Sequence, residues 1–170
     1  MNDRVEAAER ELVAAFREID QRSGRDMPFY NERLGVEGVG FQIWDGHVIG
    51  VLITPWLMNL MLLPGESADW AGCSDGDVRE YQLPSGNYRF VAGLLDGPGV
   101  CFSAALFTTV EVFPDQATAR AVAAEIMQQI FADHRERDSL GEAEIVAGTD
   151  VLRQPVSRRG LLRRLALKQD

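Results

Sequence analysis

The dipeptide Asp45-Gly46 lies between two apolar runs, Val39-Gly-Phe-Gln-Ile-Trp44 and His47-Val-Ile-Gly-Val-Leu-Ile-Thr54. A two-residue Asp-Gly link accepts positive φ at both positions, and its twist matches that of paired strands. The flanking runs therefore read as an antiparallel hairpin. That commits the middle of the chain to a sheet and leaves the rest to be fitted around it.

The strand pattern continues beyond the hairpin. Residues 57–63 form a third segment, reached through a corner at Thr54-Pro55. Residues 65–77 hold three glycines and four acids and read as an irregular acidic loop with room for a short helix. Further strands are expected at 78–83, 88–95 and 100–110, separated by turns at Pro84-Ser-Gly-Asn87 and Asp96-Gly-Pro-Gly99. Before the sheet, Val5, Ala8, Leu12, Phe16 and Ile19 recur at helical spacing after the caps Asn2 and Asp3, and Ser23-Gly24 ends the helix. After it, Asp115 caps a second helix that carries Ala119, Val122, Ala123, Ile126, Met127 and Ile130 toward a core. Helix, strands, helix is an α+β order. The expected architecture is a two-layer sandwich, a mostly antiparallel sheet of five to six strands with both helices on one face. At 170 residues the chain suffices for one domain with a real core, placed at 1–138. Residues 139–170 read as a mostly flexible basic tail.

Charge narrows the function. The net charge is −9, unevenly placed. Residues 151–170 hold six basic side chains and one acid, whereas residues 1–150 hold 11 basic and 25 acidic ones, a balance of −14. An acidic body disfavours nucleic acid, whose capture depends on neutralising phosphates, and favours basic partners. The charged N-terminus is unlike a secretory signal. The longest apolar window, 48–63, is broken by Gly50, Pro55 and Asn59, too short and interrupted to span a bilayer. A cytoplasmic protein without stable membrane insertion is expected.

Catalytic patterns are missing. Cys73 and Cys101 form no C-x-x-C pair, and Cys101 reads as a small buried apolar side chain. His47 follows a hairpin turn, where an exposed His is common, and His134 stands at a helix end; neither has ligand spacing with a second metal-binding residue. Asp75 and Asp77 read as a solvated acidic loop rather than a cation site. No phosphate-binding glycine loop or nucleophile elbow is present. The chain reads as a binding protein, not an enzyme, with no metal site and no cofactor.

Residues 53–65, Ile-Thr-Pro-Trp-Leu-Met-Asn-Leu-Met-Leu-Leu-Pro-Gly, admit two readings. One is a core strand bounded by turn residues. The other is an adaptable apolar surface for another protein's segment, since Met side chains repack around varied partners.

Ile53-Thr-Pro-Trp-Leu-Met58, the closing Leu63-Pro-Gly65, Trp70, Leu83-Pro-Ser-Gly86 followed by Phe90, Asp115 with its Ala-rich helix, and Ser157-Arg-Arg159 resemble the HybE/HupJ family of NiFe-hydrogenase assembly chaperones. The resemblance implies a non-enzymatic chaperone for maturation of an uptake hydrogenase before twin-arginine export. Its partner would be a large- or small-subunit precursor, with that precursor's twin-arginine signal peptide a further candidate. It also implies a two-layer α/β sandwich. Under this reading the partner-binding residues are Trp56, Leu57, Met58, Leu60, Met61 and Trp70. A strand at 57–63 puts Leu57, Asn59, Met61 and Leu63 on one face and Met58, Leu60 and Leu62 on the other, so one set enters the core and the other meets the client. The alternative from a different class is a small metal-handling or iron–sulfur-linked accessory factor.

The segment Ser157-Arg158-Arg159-Gly160-Leu161-Leu162-Arg163 also resembles the twin-arginine export motif. It lies at the wrong end to be an export signal. It is either a solvated basic tail or a pseudo-signal, with Ser157, Arg158, Arg159, Leu161 and Leu162 as its elements.

Overall fold

Asp45 and Gly46 adopt φ of 48° and 79°, and Trp44 pairs directly with His47, closing a two-residue hairpin between β1 (Glu37–Trp44) and β2 (His47–Ile53). The computed structural model describes residues 2–65, 70, 72–107 and 109–132. The remaining described elements are α1 (Asn2–Ser23), a 3-10 turn (Gly24–Asp26), β3 (Met58–Leu63), β4 (Val78–Leu83), β5 (Gly86–Leu95), β6 (Gly99–Phe107) and α2 (Gln116–Phe131). Residues 139–170, with the tail motif and the domain boundary, lie outside the described residues, as does His134.

The six strands form one antiparallel sheet in the order β1-β2-β3-β6-β5-β4. It is two three-stranded meanders joined where β6 pairs with β3. The upper end of the sheet holds the 54–57 corner, the Pro84-Ser85 turn and the loop from β6 to α2. The lower end holds the 45–46 and 96–98 turns and the connection from β3 to β4.

The α+β order, the antiparallel sheet and the terminal helices agree with the sequence reading, but the helices do not share one face. Ile49, Val51 and Ile53 of β2 and Met58, Leu60 and Leu62 of β3 pack with Val122, Ala123, Ile126 and Met127 of α2. Val48 and Leu52 of β2 and Met61 and Leu63 of β3 pack on the other side with Leu12, Val5, Ala8 and Phe16 of α1. The cause lies in β2 and β3 themselves. Their apolar residues run without alternation, so both faces of each strand must leave water, and one helix covers each side. At this half of the sheet the domain has three layers.

All six α2 positions expected in the core are buried, and the Asp115 side chain caps the helix by accepting from the Thr118 N–H at 2.7 Å. The helix runs down β1. Gln116 and Arg120 bond Glu37 at the upper end, with Arg120 Nε at 2.6 Å from Glu37 Oε2. Lower down, Gly40 (φ 69°) sits at a bulge between Val39 and Gln42, and a Cβ there would lie 3.0 Å from Met127 Cγ. The bulge lets strand and helix meet closely.

Candidate partner-binding site

Thr54 is fully buried at the upper end, and its hydroxyl organises the corner. Oγ1 accepts from the N–H of Trp56 (3.2 Å) and Leu57 (3.0 Å), while Thr54 N–H donates to Leu57 O at 2.9 Å. Pro55 fixes φ in the turn, and its carbonyl accepts from Asn31 N–H at 2.7 Å. The side-chain amide of Asn31 donates to both Val110 O and Phe113 O at 3.0 Å. One asparagine thus ties three segments together: the loop after α1, the 54–57 corner and the loop before α2.

Trp56 projects from this corner, half-buried between two rings. Phe16 of α1 stacks at 6.4 Å and 27°, and Tyr30 at 6.5 Å and 16°. Both separations lie within the range of attractive aromatic pairs. The Tyr30 hydroxyl donates to Asp20 at 2.7 Å, and removal from water, then the Asp20 bond, push its pKa up. Beside it Phe29 is 59% exposed with φ 62°. A bulky residue in the left-handed region is a strained position that neighbouring structure must hold. Val112, next to Phe113, is 52% exposed. Phe29, Trp56, Leu57 and Val112 therefore give the upper end apolar surface, with the exposed acids Asp26, Glu32, Glu111 and Asp115 in the same loops.

The six residues expected to bind a partner are divided by this geometry. Trp56 and Leu57 reach the surface, half-buried. Met58 and Leu60 are 0% exposed under α2, and Met61 is 3% exposed under α1. Trp70 is 4% exposed at the lower end, its ring 4.9 Å from Phe102 and 5.0 Å from His47. The expected division of β3 into a core face and a client face is overturned. β3 lies between β2 and β6, and each of its faces has a helix over it. The sequence reading missed Phe29 and Val112 as exposed side chains and Asn31 as the tie. Met27-Pro-Phe-Tyr-Asn31 carries no helix or strand spacing, and no periodicity marks a loop residue that bonds 79 and 82 positions away.

His47 is not the exposed residue expected at a strand start. It is half-buried against Trp70, with Nδ1 buried and lacking a hydrogen-bond partner among the described residues. Burial lowers its pKa, opposed by Asp45 and reinforced by Arg4. Cys101 is buried, which pushes its thiol up to about 12, so it holds no reactive thiolate. Cys73 is half-buried. Among the described residues no three His, Cys, Asp or Glu side chains gather as a metal set, and no helix is long and apolar enough to cross a membrane.

Comparison with known proteins gives this geometry a family. Residues 7–164 match the family model for the NiFe-hydrogenase assembly chaperone HybE. The chain is 31% identical over 152 residues to the hydrogenase expression/formation protein HupJ of Bradyrhizobium diazoefficiens, covering 89% of this chain and 85% of that protein. It is 36% identical over 145 residues to a protein of Rhodobacter capsulatus named probable rubredoxin HupJ, and the match spans 52% of that longer protein. The fold is similar to the solution structure of HybE from Escherichia coli, with a TM-score of 0.61, 26% identity and coverage of 74% of this chain and 77% of that one. A match over nearly the whole sequence, with the same fold beneath it, makes this chain a member of the HybE/HupJ family of non-enzymatic NiFe-hydrogenase assembly chaperones.

Proposed function

We propose that this chaperone binds the precursor of a NiFe uptake-hydrogenase subunit in the cytoplasm, before export by the twin-arginine route. The precursor docks an apolar segment on the upper corner at Phe29, Trp56, Leu57 and Val112, and basic residues flanking that segment meet the acids of the same loops. The observation that carries this reading is Phe29. An aromatic side chain 59% exposed, in a left-handed conformation and beside a locked tryptophan corner, adds nothing to the core. Exposed apolar surface of this kind marks contact sites, and anchors of binding energy are enriched in aromatic residues.

The test is capture of each hydrogenase subunit precursor, with and without its signal peptide, by the full chain and by Phe29→Ser and Val112→Ser variants. Both positions are exposed, so the fold tolerates the change. Loss of about 1–2 kcal/mol in affinity, roughly five- to thirtyfold, supports the corner as the docking site. Undiminished capture by both variants rules the corner out. Capture that requires the signal peptide identifies that peptide as the docked segment. Metal analysis of the purified protein addresses the rival role in metal handling.

A further inference from the structure

We propose that the C-terminal segment 157–168 of this chain docks on the open face of β4, β5 and β6, beside α1. The two halves of the sheet are covered differently. Over β1–β3 a helix lies on each side. Over β4–β6 one side is filled by Trp70, Tyr88, Phe90 and Phe102; on the other, the α1-side cluster reaches Cys101 of β6 and Leu95 of β5, and beyond them Val78, Glu80, Arg89 and Val91 of β4 and β5 are exposed. On that open side Val78 and Val91 are each 44% exposed. They pair directly across the strands, and Val91 pairs in turn with Ser103, which pairs with buried Met61. This row leads outward from the α1 interface. With Gly93 in the neighbouring row, it forms a shallow floor of small and medium side chains continuous with an existing helix–sheet contact.

Charge, reach and sequence point to the chain's own C-terminus as the occupant. Residues 1–132 hold 9 basic and 19 acidic side chains, a balance of −10, against +5 over residues 151–170. Glu80 stands on the open face opposite Arg89, and Asp77 and Asp96 lie at its lower rim. Helical spacing sets Glu11 on the flank of α1 away from the β1 side, where Glu6, Glu9 and Val13 line clefts with β1. α2 begins beside Glu37 and passes Gly40 on its way down β1, so the chain leaves it at the lower end of the sheet. Residues 133–156 extend at most about 80 Å, against the roughly 20 Å needed to round the sheet to its other face. In segment 157–168, Leu161, Leu162 and Leu165 have i, i+1, i+4 spacing, with Arg158, Arg159, Arg163, Arg164 and Lys168 around them. An apolar strip with a basic surround is what a floor of valines with an acidic rim accommodates. The family match also runs through residue 164 and so includes Leu161 and Leu162.

The proposal goes beyond the client site and needs no client to be tested. Methyl and amide NMR spectra of the full chain are compared with those of a Leu161→Asp, Leu162→Asp, Leu165→Asp variant, whose changes lie outside the described residues. Docking predicts shifted Val78 and Val91 methyls and exchange of the 78–82 amides about fivefold faster in the variant, the equivalent of roughly 1 kcal/mol. A synthetic 157–168 peptide added to the variant restores both. Reciprocally, Val91→Arg in the full chain shifts the methyls of Leu161, Leu162 and Leu165. Unchanged Val78 and Val91 methyls in the variant overturn the proposal. So do shifts confined to Val112 and Leu57, which place the tail on the upper corner, and shifts that grow with protein concentration, which assign the face to a second copy.

Discussion

The two meanders of this sheet differ in how they meet water, and the difference is written in their strands. β2 and β3 are apolar on both faces and have helices on both sides. β5 alternates: Tyr88, Phe90 and Ala92 point inward, while Asn87, Arg89 and Val91 point out. A strand with uninterrupted apolar sequence requires two covers, and an alternating one requires a single cover. The first half of the sheet therefore sets the number of layers, and the second half leaves a face for use.

The sharpest way to break this comparison is to remove a side chain from each half. Leu60→Ala, in β3 under α2, is expected to destabilise by about 2–5 kcal/mol through lost burial and a cavity, read as a fall in the urea midpoint. Val91→Ser on the open face should stay near 0.5 kcal/mol. Equal losses would mean that the open face is covered in solution as thoroughly as the other.

A smaller effect separates the corner from the strands it joins. Thr54→Val keeps the shape of the side chain but leaves the Trp56 and Leu57 N–H groups without the hydroxyl that accepts from them. A loss of about 1–3 kcal/mol is expected, with altered tryptophan emission as the Phe16–Trp56–Tyr30 stack loosens. An unchanged denaturation curve would mean that Pro55 alone holds the turn.

The smallest effect is a pH dependence. Burial lowers the pKa of His47 below its ordinary value. The folded state therefore favours the neutral ring, and the unfolded chain takes up the proton first as pH falls. The stability this provides is present above about pH 6.5 and declines as pH drops below it. Melting temperature should fall from pH 7 to 5.5 in the native chain, and fall less in His47→Gln. Identical pH profiles would show that His47 carries none of this dependence.

Much of the fold was legible in the sequence, because local chemistry decides it. Asp45-Gly46 predicts its hairpin, Asp115 its cap, and the spacing of Ala119, Val122 and Ile126 the buried side of α2. The placement of α1 was legible too, in the run Val48–Ile53, which has apolar side chains on both faces, but a two-layer expectation hid it. The candidate site was legible only at Trp56 and Leu57, the two expected contact residues that reach the surface. Met58, Leu60 and Met61 look the same in sequence whether they face a client or a helix, and only the position of β3 between β2 and β6 decides between these. Phe29 and Val112 lie in loops without periodicity, so no pattern around them announces their exposure.

Asn31 makes those loops a single mechanical element. Its backbone bond to Pro55 and its amide bonds to Val110 and Phe113 mean that none of the three segments is displaced without straining the others. A load on the Trp56 corner is transmitted to the start of α2, at the opposite side of the sheet from α1. The upper end is thus one hydrogen-bonded unit joining the loop after α1 to the loop before α2.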